Sequence, residues 1–440
     1  MKKRLVPFLS LFITICTLIP LFSVFVCAND TGLPEPPEIE GVEAYYFYNI
    51  TRDKLMASYN ENTQISTSTS AKVMSGMLIC ESLADRQEEK IQVTEKMLLG
   101  IDGIRFGYKA GDTVLIKDLL YAAICGSYND AMQIAACVVA EEVSEFVTMM
   151  NKRASDFGAT KTHYTNPLGY PDNQAMLTTA SDVAKIALEA QKNGLYMEIS
   201  STPTYETSEG KEFYNKNYLI CSLRDNTYQD DCFSGMNAGS STSSGNWSVV
   251  TVASDENQRY LCVILGGRES ESGTIYAYKA ANKLADWALT VYDTITVFPK
   301  GHEMGLIPIG LTGKAENNAP YVTETELKIY IPLHDSSYDT SKLNYKIQLD
   351  KEQIDAPAHA GQKVGIVKVY YRNECVGKCN LVLNENYSQN PILWAINKVS
   401  LYLKSRAFLI TLISFVIVLP ITFITIKIKS RRTTRRSYRK

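Results

Sequence analysis

The stretch Thr69-Ser70-Ala71-Lys72 opens an apolar run that continues from Val73 to Leu83. This pattern predicts a helix over residues 72–84. A hydroxyl three residues before a lysine at the start of a helix places both side chains on one helical face. The amine can then lie within hydrogen-bond reach of the hydroxyl and accept its proton. The stretch therefore indicates Thr69 as a candidate nucleophile and Lys72 as its candidate base.

The patterns on either side of this helix predict an α+β domain over residues 38–294. Short aromatic runs at residues 44–48 and 55–59 predict a β-hairpin. Further helical patterns cover residues 116–124, 131–141, 144–157, 181–193 and 275–292. Alternating runs at residues 247–253 and 260–266 predict strands. We therefore expect a sheet with helices packed on it and an all-helical insertion after the hairpin.

The C-terminal part of the chain predicts a small second domain and a membrane anchor. Residues 297–386 show short strand patterns separated by polar turns, which indicates a β-rich domain. Residues 387–406 form an amphipathic connector whose aromatic side chains suit a membrane interface. Residues 407–426 carry no charge and are long enough to cross roughly 30 Å of hydrocarbon. This span predicts a single C-terminal transmembrane helix.

Charges at the two ends predict the topology of the chain. Lys2, Lys3 and Arg4 precede an apolar stretch, and the small residues near Ala28 allow cleavage, so residues 1–28 are expected to be a signal peptide. Residues 427–440 contain eight cations and no acid, which predicts a cytoplasmic tail by the positive-inside rule. We therefore expect a single-pass protein of the cell membrane whose N-terminal ectodomain lies outside the cytoplasm.

Composition excludes several classes of partner. Without the three N-terminal and eight C-terminal cations, 34 basic residues face 47 acidic ones, so the exported part is acidic and nucleic acid is not an expected partner. Eight cysteines remain outside the leader and form no CxxC pair, so neither a metal nor a cofactor is expected. Cys221 and Cys232 flank a predicted hairpin loop and could form a disulfide in an exported protein.

Further short motifs follow the opening stretch. They are Ser127-Tyr128-Asn129, Asn166-Pro167-Leu168-Gly169-Tyr170, Asn215-Lys216-Asn217, Phe233-Ser234-Gly235 and Gly361-Gln362-Lys363-Val364-Gly365. Each is weak alone, but their order and spacing together are specific. Over about residues 40–385 the chain resembles the low-molecular-mass penicillin-binding proteins of the D-alanyl-D-alanine carboxypeptidase type. The resemblance implies a penicillin-binding-protein/β-lactamase-like transpeptidase fold for the first domain, followed by a small β domain.

The resemblance also implies a reaction and its residues. Such proteins are serine-type peptidases whose motifs read Ser-x-x-Lys, Ser-x-Asn and Lys-Thr-Gly. It implies that Thr69 and Lys72 act as nucleophile and base, that Ser127 relays the proton to the leaving amine and that Asn129 holds the lysine and the substrate amide. The implied partner is a peptidoglycan stem peptide ending in D-Ala-D-Ala, and β-lactams are possible ligands.

Two departures separate this sequence from the family pattern. The nucleophile position holds Thr69, whose extra methyl restricts χ1. The third motif is assigned to Phe233-Ser234-Gly235, which keeps a hydroxyl and a glycine as substrate-binding residues and replaces the lysine with Phe233. Loss of one preorganised charge or donor typically costs ~3 kcal/mol, or a hundredfold or more in rate. Both changes point to weakened turnover.

Two classes of function remain open at this point. As an enzyme, the protein would remove the terminal D-alanine from stem peptides through an acyl intermediate on Thr69, with reduced activity. As a pseudoenzyme, it would hold a muropeptide or a protein partner of the cell envelope without cleaving it. Covalent labelling by a penicillin distinguishes these two classes.

Overall fold

The computed structural model describes residues 34–170, 176–223, 227–240, 246–313, 317–332 and 342–437, and it divides into two compact units at Tyr292 and Asp293. The signal peptide expected for residues 1–28 lies outside the described residues. The strands of the first unit are β1 Ala44–Asn49, β2 Lys54–Tyr59, β3 Ile65–Ser66, β4 Lys90–Gln92, β5 Thr113–Leu115, β6 Leu177–Thr178, β7 Thr204–Glu206, β8 Glu212–Tyr214, β9 Phe233–Ser240, β10 Trp247–Ser254 and β11 Arg259–Gly267.

A five-stranded sheet of order β2-β1-β11-β10-β9 forms the framework of the described part of this unit. The predicted hairpin is present as β1 and β2, and β1 joins the sheet by antiparallel pairing with β11, from Ala44 opposite Leu265 to Asn49 opposite Tyr260. The strand β9 lies at the other edge, paired with β10 alone. An edge strand leaves one row of backbone groups unpaired, so β9 can present them to a ligand.

Three two-stranded sheets, β3-β6, β4-β5 and β7-β8, and seven α-helices accompany this sheet in the described part of the first unit. The helices are α1 Ala71–Leu83, α2 Ile116–Ile124, α3 Asn129–Ala140, α4 Val143–Asp156, α5 Ala180–Ala190, α6 Gly194–Ser201 and α7 Tyr276–Val291. Helix α1 is buried on nearly all sides, as expected for a helix that is apolar all round. Gly76 lets the Tyr196 ring pack against it, since a Cβ at Gly76 would lie 2.6 Å from that ring. The start of this buried helix lies against β9, where Thr69 contacts Gly239.

The second unit is β-rich, as expected. Its strands are β12 Tyr292–Phe298, β13 Glu303–Gly310, β14 Asn318–Thr323, β15 Leu327–Pro332, β16 Leu343–Leu349, β17 Ile354–Asp355, β18 Lys363–Tyr371 and β19 Glu374–Leu383. Six of the described strands form a sheet of order β16-β18-β19-β14-β13-β17, and β12 pairs with β15. Ile307, Ile329, Val367 and Leu381 are fully buried in its core.

Two helices end the described chain, α8 Pro391–Leu403 and α9 Arg406–Ser437. The Asn390 side chain caps α8 by accepting hydrogen bonds from the N–H groups of Ile392 and Leu393. Of the helices that the structure describes, the segment Arg406–Lys429 of α9 is long and apolar enough to cross a membrane. This segment contains the predicted span.

Candidate active site

A cleft of about 130 Å³ opens between the start of α1, the α2–α3 loop and the end of β9. All four predicted catalytic residues line it, namely Thr69, Lys72, Ser127 and Asn129. The other lining residues are Gly103, Ile104, Leu168, Gly169, Tyr170, Lys216, Tyr218, Ala238, Gly239, Ser240 and Trp247. Residues from distant parts of the sequence therefore meet around the hydroxyl and amine of the opening stretch.

Lys72 lies on the first turn of α1 and is 5% exposed. Its ammonium donates hydrogen bonds to the Ser127 carbonyl at 2.6 Å, the Ser127 hydroxyl at 3.0 Å and the Asn129 Oδ1 at 2.7 Å. All three acceptors are formally neutral. The amine is therefore held in one position without a directly bonded carboxylate.

Burial determines the ionisation of this amine. Desolvation lowers the pKa of Lys72 to about 7, Asp130 acts against this shift, and the cation of Lys216 adds to it. An exposed lysine titrates near 10.4 and carries almost no neutral amine at pH 7. With a pKa of about 7, a large fraction of Lys72 is neutral at that pH and has a lone pair to accept a proton.

Thr69 is half-buried at the edge of the cleft, and its hydroxyl donates to the Gly239 carbonyl at 3.1 Å. The three hydrogen bonds of the Lys72 amine go to Ser127 and Asn129 rather than to this hydroxyl. Proton transfer from Thr69 to Lys72 therefore requires the Thr69 hydroxyl to give up its hydrogen bond to Gly239. The β-branched side chain has less χ1 freedom than serine for any rotation that accompanies this change.

The α2–α3 loop positions the second pair of residues. Ser127 has a φ of 51°, which turns the chain so that both its carbonyl and its hydroxyl face Lys72. Asn129 begins α3, and its Nδ2 donates to the Asp102 carbonyl at 2.6 Å. Because Nδ2 is bound there, Oδ1 is the atom directed at Lys72.

The strand that faces the nucleophile requires a correction. Ser234 and Gly235 were expected to line the site, but the structure places Ala238, Gly239 and Ser240 there instead. Ser234 directs its hydroxyl to the Val252 carbonyl at 3.5 Å. Five residues along a strand cover roughly 16 Å, so Ser234 lies too far along β9 to reach a ligand held at Thr69.

Gly239 is the glycine that approaches the nucleophile. A Cβ at this position would lie 3.4 Å from the Thr69 methyl and 3.6 Å from its hydroxyl. Aligned on this glycine, the third motif reads Asn237-Ala238-Gly239. It therefore lacks the hydroxyl that was expected at Ser234, as well as the lysine. The neighbouring Ser240 supplies a hydroxyl residue at the cleft.

Lys216 is a lining residue that the sequence reasoning did not assign to the site. It is half-buried and lies between two buried asparagines. The Asn215 amide donates to the Ser200 and Thr202 carbonyls, and the Asn217 amide donates to the Gly235 carbonyl. These bonds hold the segment in place, so the cleft contains a cation supplied from outside β9. A lysine between two asparagines was the sequence signal for it.

The described residues contain no group of three or more His, Cys, Asp or Glu side chains placed to hold a metal ion. Cys221 and Cys232 are both free thiols in the structure, in contrast to the disulfide considered from their spacing. Among the described side chains, the chemistry of the cleft therefore rests on hydroxyl, amide and amine groups.

Comparisons with known proteins identify the family of the chain. The family model described as D-alanyl-D-alanine carboxypeptidase matches residues 33–269, and that of the penicillin-binding protein 5 C-terminal domain matches residues 292–389. The chain is 26% identical over 414 residues to D-alanyl-D-alanine carboxypeptidase DacD of Escherichia coli, covering 89% of this chain and 97% of that protein. It is 23% identical over 343 residues to D-alanyl-D-alanine carboxypeptidase DacF of Bacillus subtilis, covering 77% and 84%.

Solved structures show the same two-domain fold. Penicillin-binding protein 5 from Haemophilus influenzae superposes with a TM-score of 0.59 at 21% identity, covering 81% of this chain and all of that one. A peptidoglycan synthesis regulatory factor (PBP3) from Streptococcus pneumoniae superposes with a TM-score of 0.61 at 17% identity, covering 79% and 99%. The first family model spans more than half of the sequence. The chain therefore belongs to the D-alanyl-D-alanine carboxypeptidase family of low-molecular-mass penicillin-binding proteins, which acts on peptidoglycan.

Proposed function

We propose that this chain removes the terminal D-alanine from peptidoglycan stem peptides through an acyl intermediate on Thr69. The observation that carries the proposal is the buried Lys72 amine, with a pKa of about 7, in the same cleft as the Thr69 hydroxyl. A buried lysine that is neutral near pH 7 is the base that such a hydroxyl requires. Its hydrogen bonds to Ser127 and Asn129 support the assignment of Ser127 as the proton relay.

The reaction proceeds in two steps, acylation of Thr69 and hydrolysis of the resulting ester. Neutral Lys72 accepts the Thr69 proton as the Thr69 oxygen bonds to the carbonyl carbon of the penultimate D-alanine. The amide C–N bond then breaks, and the proton passes from Lys72 through the Ser127 hydroxyl to the leaving amine of the terminal D-alanine. Water next attacks the Thr69 ester, releases the shortened peptide and restores the threonine hydroxyl and the neutral lysine.

Lys216 is the residue that we assign to the carboxylate of the terminal D-alanine. It places a cation in the cleft, where the third motif provides only Ala238 and Gly239. An ammonium beside a substrate carboxylate gives a charge-assisted hydrogen bond, which is about twice as strong as a neutral one. A single cation on a flexible stem orients the substrate less closely than a preorganised lysine and hydroxyl on β9 would. Slow turnover is the expected result.

The same cleft accommodates a β-lactam, whose strained amide carbonyl takes the place of the scissile peptide bond. Attack by Thr69 opens the ring and leaves the drug attached as an ester. We propose that this chemistry occurs outside the cytoplasm, with Arg406–Lys429 crossing the membrane and the basic residues after it on the cytoplasmic side.

Labelling the full chain in detergent with a fluorescent penicillin tests this proposal. We expect slow covalent labelling that is lost in Thr69→Ala and accelerated about tenfold in Thr69→Ser, because serine keeps the hydroxyl and removes the methyl that restricts its rotation. Thr148→Ala is the matched control, since Thr148 is an exposed helix residue that bonds only its own helix backbone. Its labelling should equal that of the parent.

Other results would overturn the proposal. Labelling that persists in Thr69→Ala would place the nucleophile elsewhere. Absence of labelling in both the parent and Thr69→Ser, together with measurable binding of a D-Ala-D-Ala pentapeptide, would identify a binding protein that does not cleave its ligand.

A further inference from the structure

A buried carboxylate lies directly behind the site and takes no part in the acyl-transfer steps. Asp130 follows Asn129 at the start of α3 and is 1% exposed. A carboxylate at such depth requires compensating donors or charges. The contacts of Asp130 show which donors compensate for its burial.

Backbone N–H groups of one loop provide these donors. Asp130 Oδ1 accepts from the Phe106 N–H at 2.8 Å, and Oδ2 accepts from the Gly107 N–H at 2.7 Å and the Tyr108 N–H at 3.2 Å. Gly107 has a φ of 105°, a conformation that favours glycine and allows these consecutive donors to converge on one carboxylate. Asp130 thus binds the loop through three successive residues.

This loop forms part of the cleft. Gly103 and Ile104 line it, and the Ile104 carbonyl accepts a hydrogen bond from the Asn129 N–H at 2.8 Å. The Asp102 carbonyl accepts from Asn129 Nδ2, the bond that directs Oδ1 of that amide at Lys72. Displacement of the loop would therefore move a wall of the cleft and release the amide that holds the base.

The charge of Asp130 acts on the base as well. The pKa of Lys72 is lowered by burial, raised by Asp130 and lowered by Lys216, so Asp130 is the negative group among these influences. Removing its charge would lower the pKa of Lys72 below about 7. The neutral form of the amine would then persist to lower pH.

We propose that Asp130 is a positioning residue of this site, whose carboxylate fastens the cleft-lining loop to the start of α3 and favours the positive charge of Lys72. It touches neither the substrate nor the reacting atoms. The inference rests on the proposed acyl transfer. It holds that Asp130 both fixes the orientation of Asn129 and sets the pH range in which Lys72 can act as a base.

The test compares the parent with Asp130→Asn and Asp130→Glu in the full chain. In the pH profile of penicillin acylation, we expect the midpoint of Asp130→Asn to lie about one pH unit lower than that of the parent, a typical size for loss of a nearby charge. Asp130→Glu keeps the charge and should keep the midpoint. A role limited to packing would reduce the rate at every pH and leave the midpoint in place.

Asp182→Asn is the matched control. Asp182 is also a carboxylate near the start of a helix, is 2% exposed and accepts a backbone N–H, from Lys161 at 2.7 Å, but that N–H does not belong to the loop that lines the cleft. We expect its midpoint to equal that of the parent. Amide hydrogen exchange at Phe106, Gly107 and Tyr108 should accelerate in Asp130→Asn and Asp130→Glu, and remain unchanged in Asp182→Asn.

A readout without acylation separates this inference from the proposed function. With lysine labelled with carbon-13 at Cε, the resonance that disappears in Lys72→Met reports the titration of Lys72 directly. A lower pKa in Asp130→Asn supports the inference even if the parent forms no acyl-enzyme. An unchanged pKa of Lys72, or unchanged exchange at the three loop amides in Asp130→Glu, would overturn it. The exchange measurement on Asp130→Glu applies even if Asp130→Asn fails to fold.

Discussion

The chemistry proposed for individual residues in this cleft depends on the environment of the Lys72 amine. Lys72 is an ordinary lysine in the sequence, and its position on a buried helix lowers its pKa to about 7, as the proposed role of a base requires. Thr69 contributes the hydroxyl, and its methyl group is the restriction that serine would lack. Lys216 contributes a cation from a segment outside the three motifs. Under the proposed function, Lys216 therefore connects the orientation of the substrate with the basicity of Lys72.

Replacing Lys216 with methionine should affect both properties. The rate of parent acylation should rise as the pH increases through about 7, because Lys72 must lose its proton to act as a base. Without the nearby cation of Lys216, the pKa of Lys72 rises and the midpoint of the profile moves to higher pH. Loss of the carboxylate partner should also reduce kcat/KM for a D-Ala-D-Ala peptide by about a hundredfold.

Lys192→Met provides the control for this change, since Lys192 is an exposed lysine paired with Glu189 on another surface. Stopped-flow acylation from pH 5 to 9 and steady-state hydrolysis of the peptide measure the two effects. An unchanged midpoint in Lys216→Met would show that its charge does not reach Lys72. Unchanged peptide kinetics would remove Lys216 from the carboxylate site.

At the level of secondary structure, the register of β9 decides which residues meet the substrate. The strand runs from Phe233 to Ser240, and only its last three residues line the cleft. The sequence reasoning identified the correct strand but placed the motif four residues too early, because Ser-Gly and Ala-Gly are both plausible in isolation. Pairing of β9 with β10 sets the distance from Thr69 to each residue. A sequence pattern does not contain that distance.

Two substitutions on β9 test this register. Ala238→Ser adds a hydroxyl at the residue before Gly239 and should increase penicillin acylation about fivefold, consistent with a gain of roughly 1 kcal/mol from one hydrogen bond. Ser234→Ala removes the hydroxyl that the sequence alone favoured and should leave the rate unchanged. Both variants are measured in one labelling time course. Reversed results, with Ser234→Ala slower and Ala238→Ser unchanged, would restore the original assignment.

Along the whole chain, the first unit, which contains the cleft, is followed by a β-rich unit and a long apolar helix. The family models match the first two parts in that order. The segment Arg406–Lys429 is uncharged apart from its ends, and its apolar side chains are exposed in the structure. Such a helix is more stable in lipid than in water. Attachment to the membrane is thus expected to be separable from chemistry in the cleft.

A chain that ends at Ser405 tests this separation. We expect it to appear in the soluble fraction after cell lysis and carbonate washing, whereas the full chain stays with the membranes. Its penicillin labelling rate should remain within about twofold of that of the full chain, because none of the described residues beyond Trp247 lines the cleft. A truncated chain that still sediments with membranes would show that another segment provides the attachment.

The sequence by itself determined the fold class, the domain order and the apolar span, and it named Thr69, Lys72, Ser127 and Asn129 as candidate residues that the structure brings together in one cleft, because helical spacing and short motifs are local properties. Only the tertiary structure decided that Gly239 rather than Gly235 faces the nucleophile, that Lys216 enters the cleft and that Asp130 lies behind the base. Each of these depends on a contact between residues far apart in the chain. Strand pairing and burial create such contacts, and both arise only when the whole first unit packs.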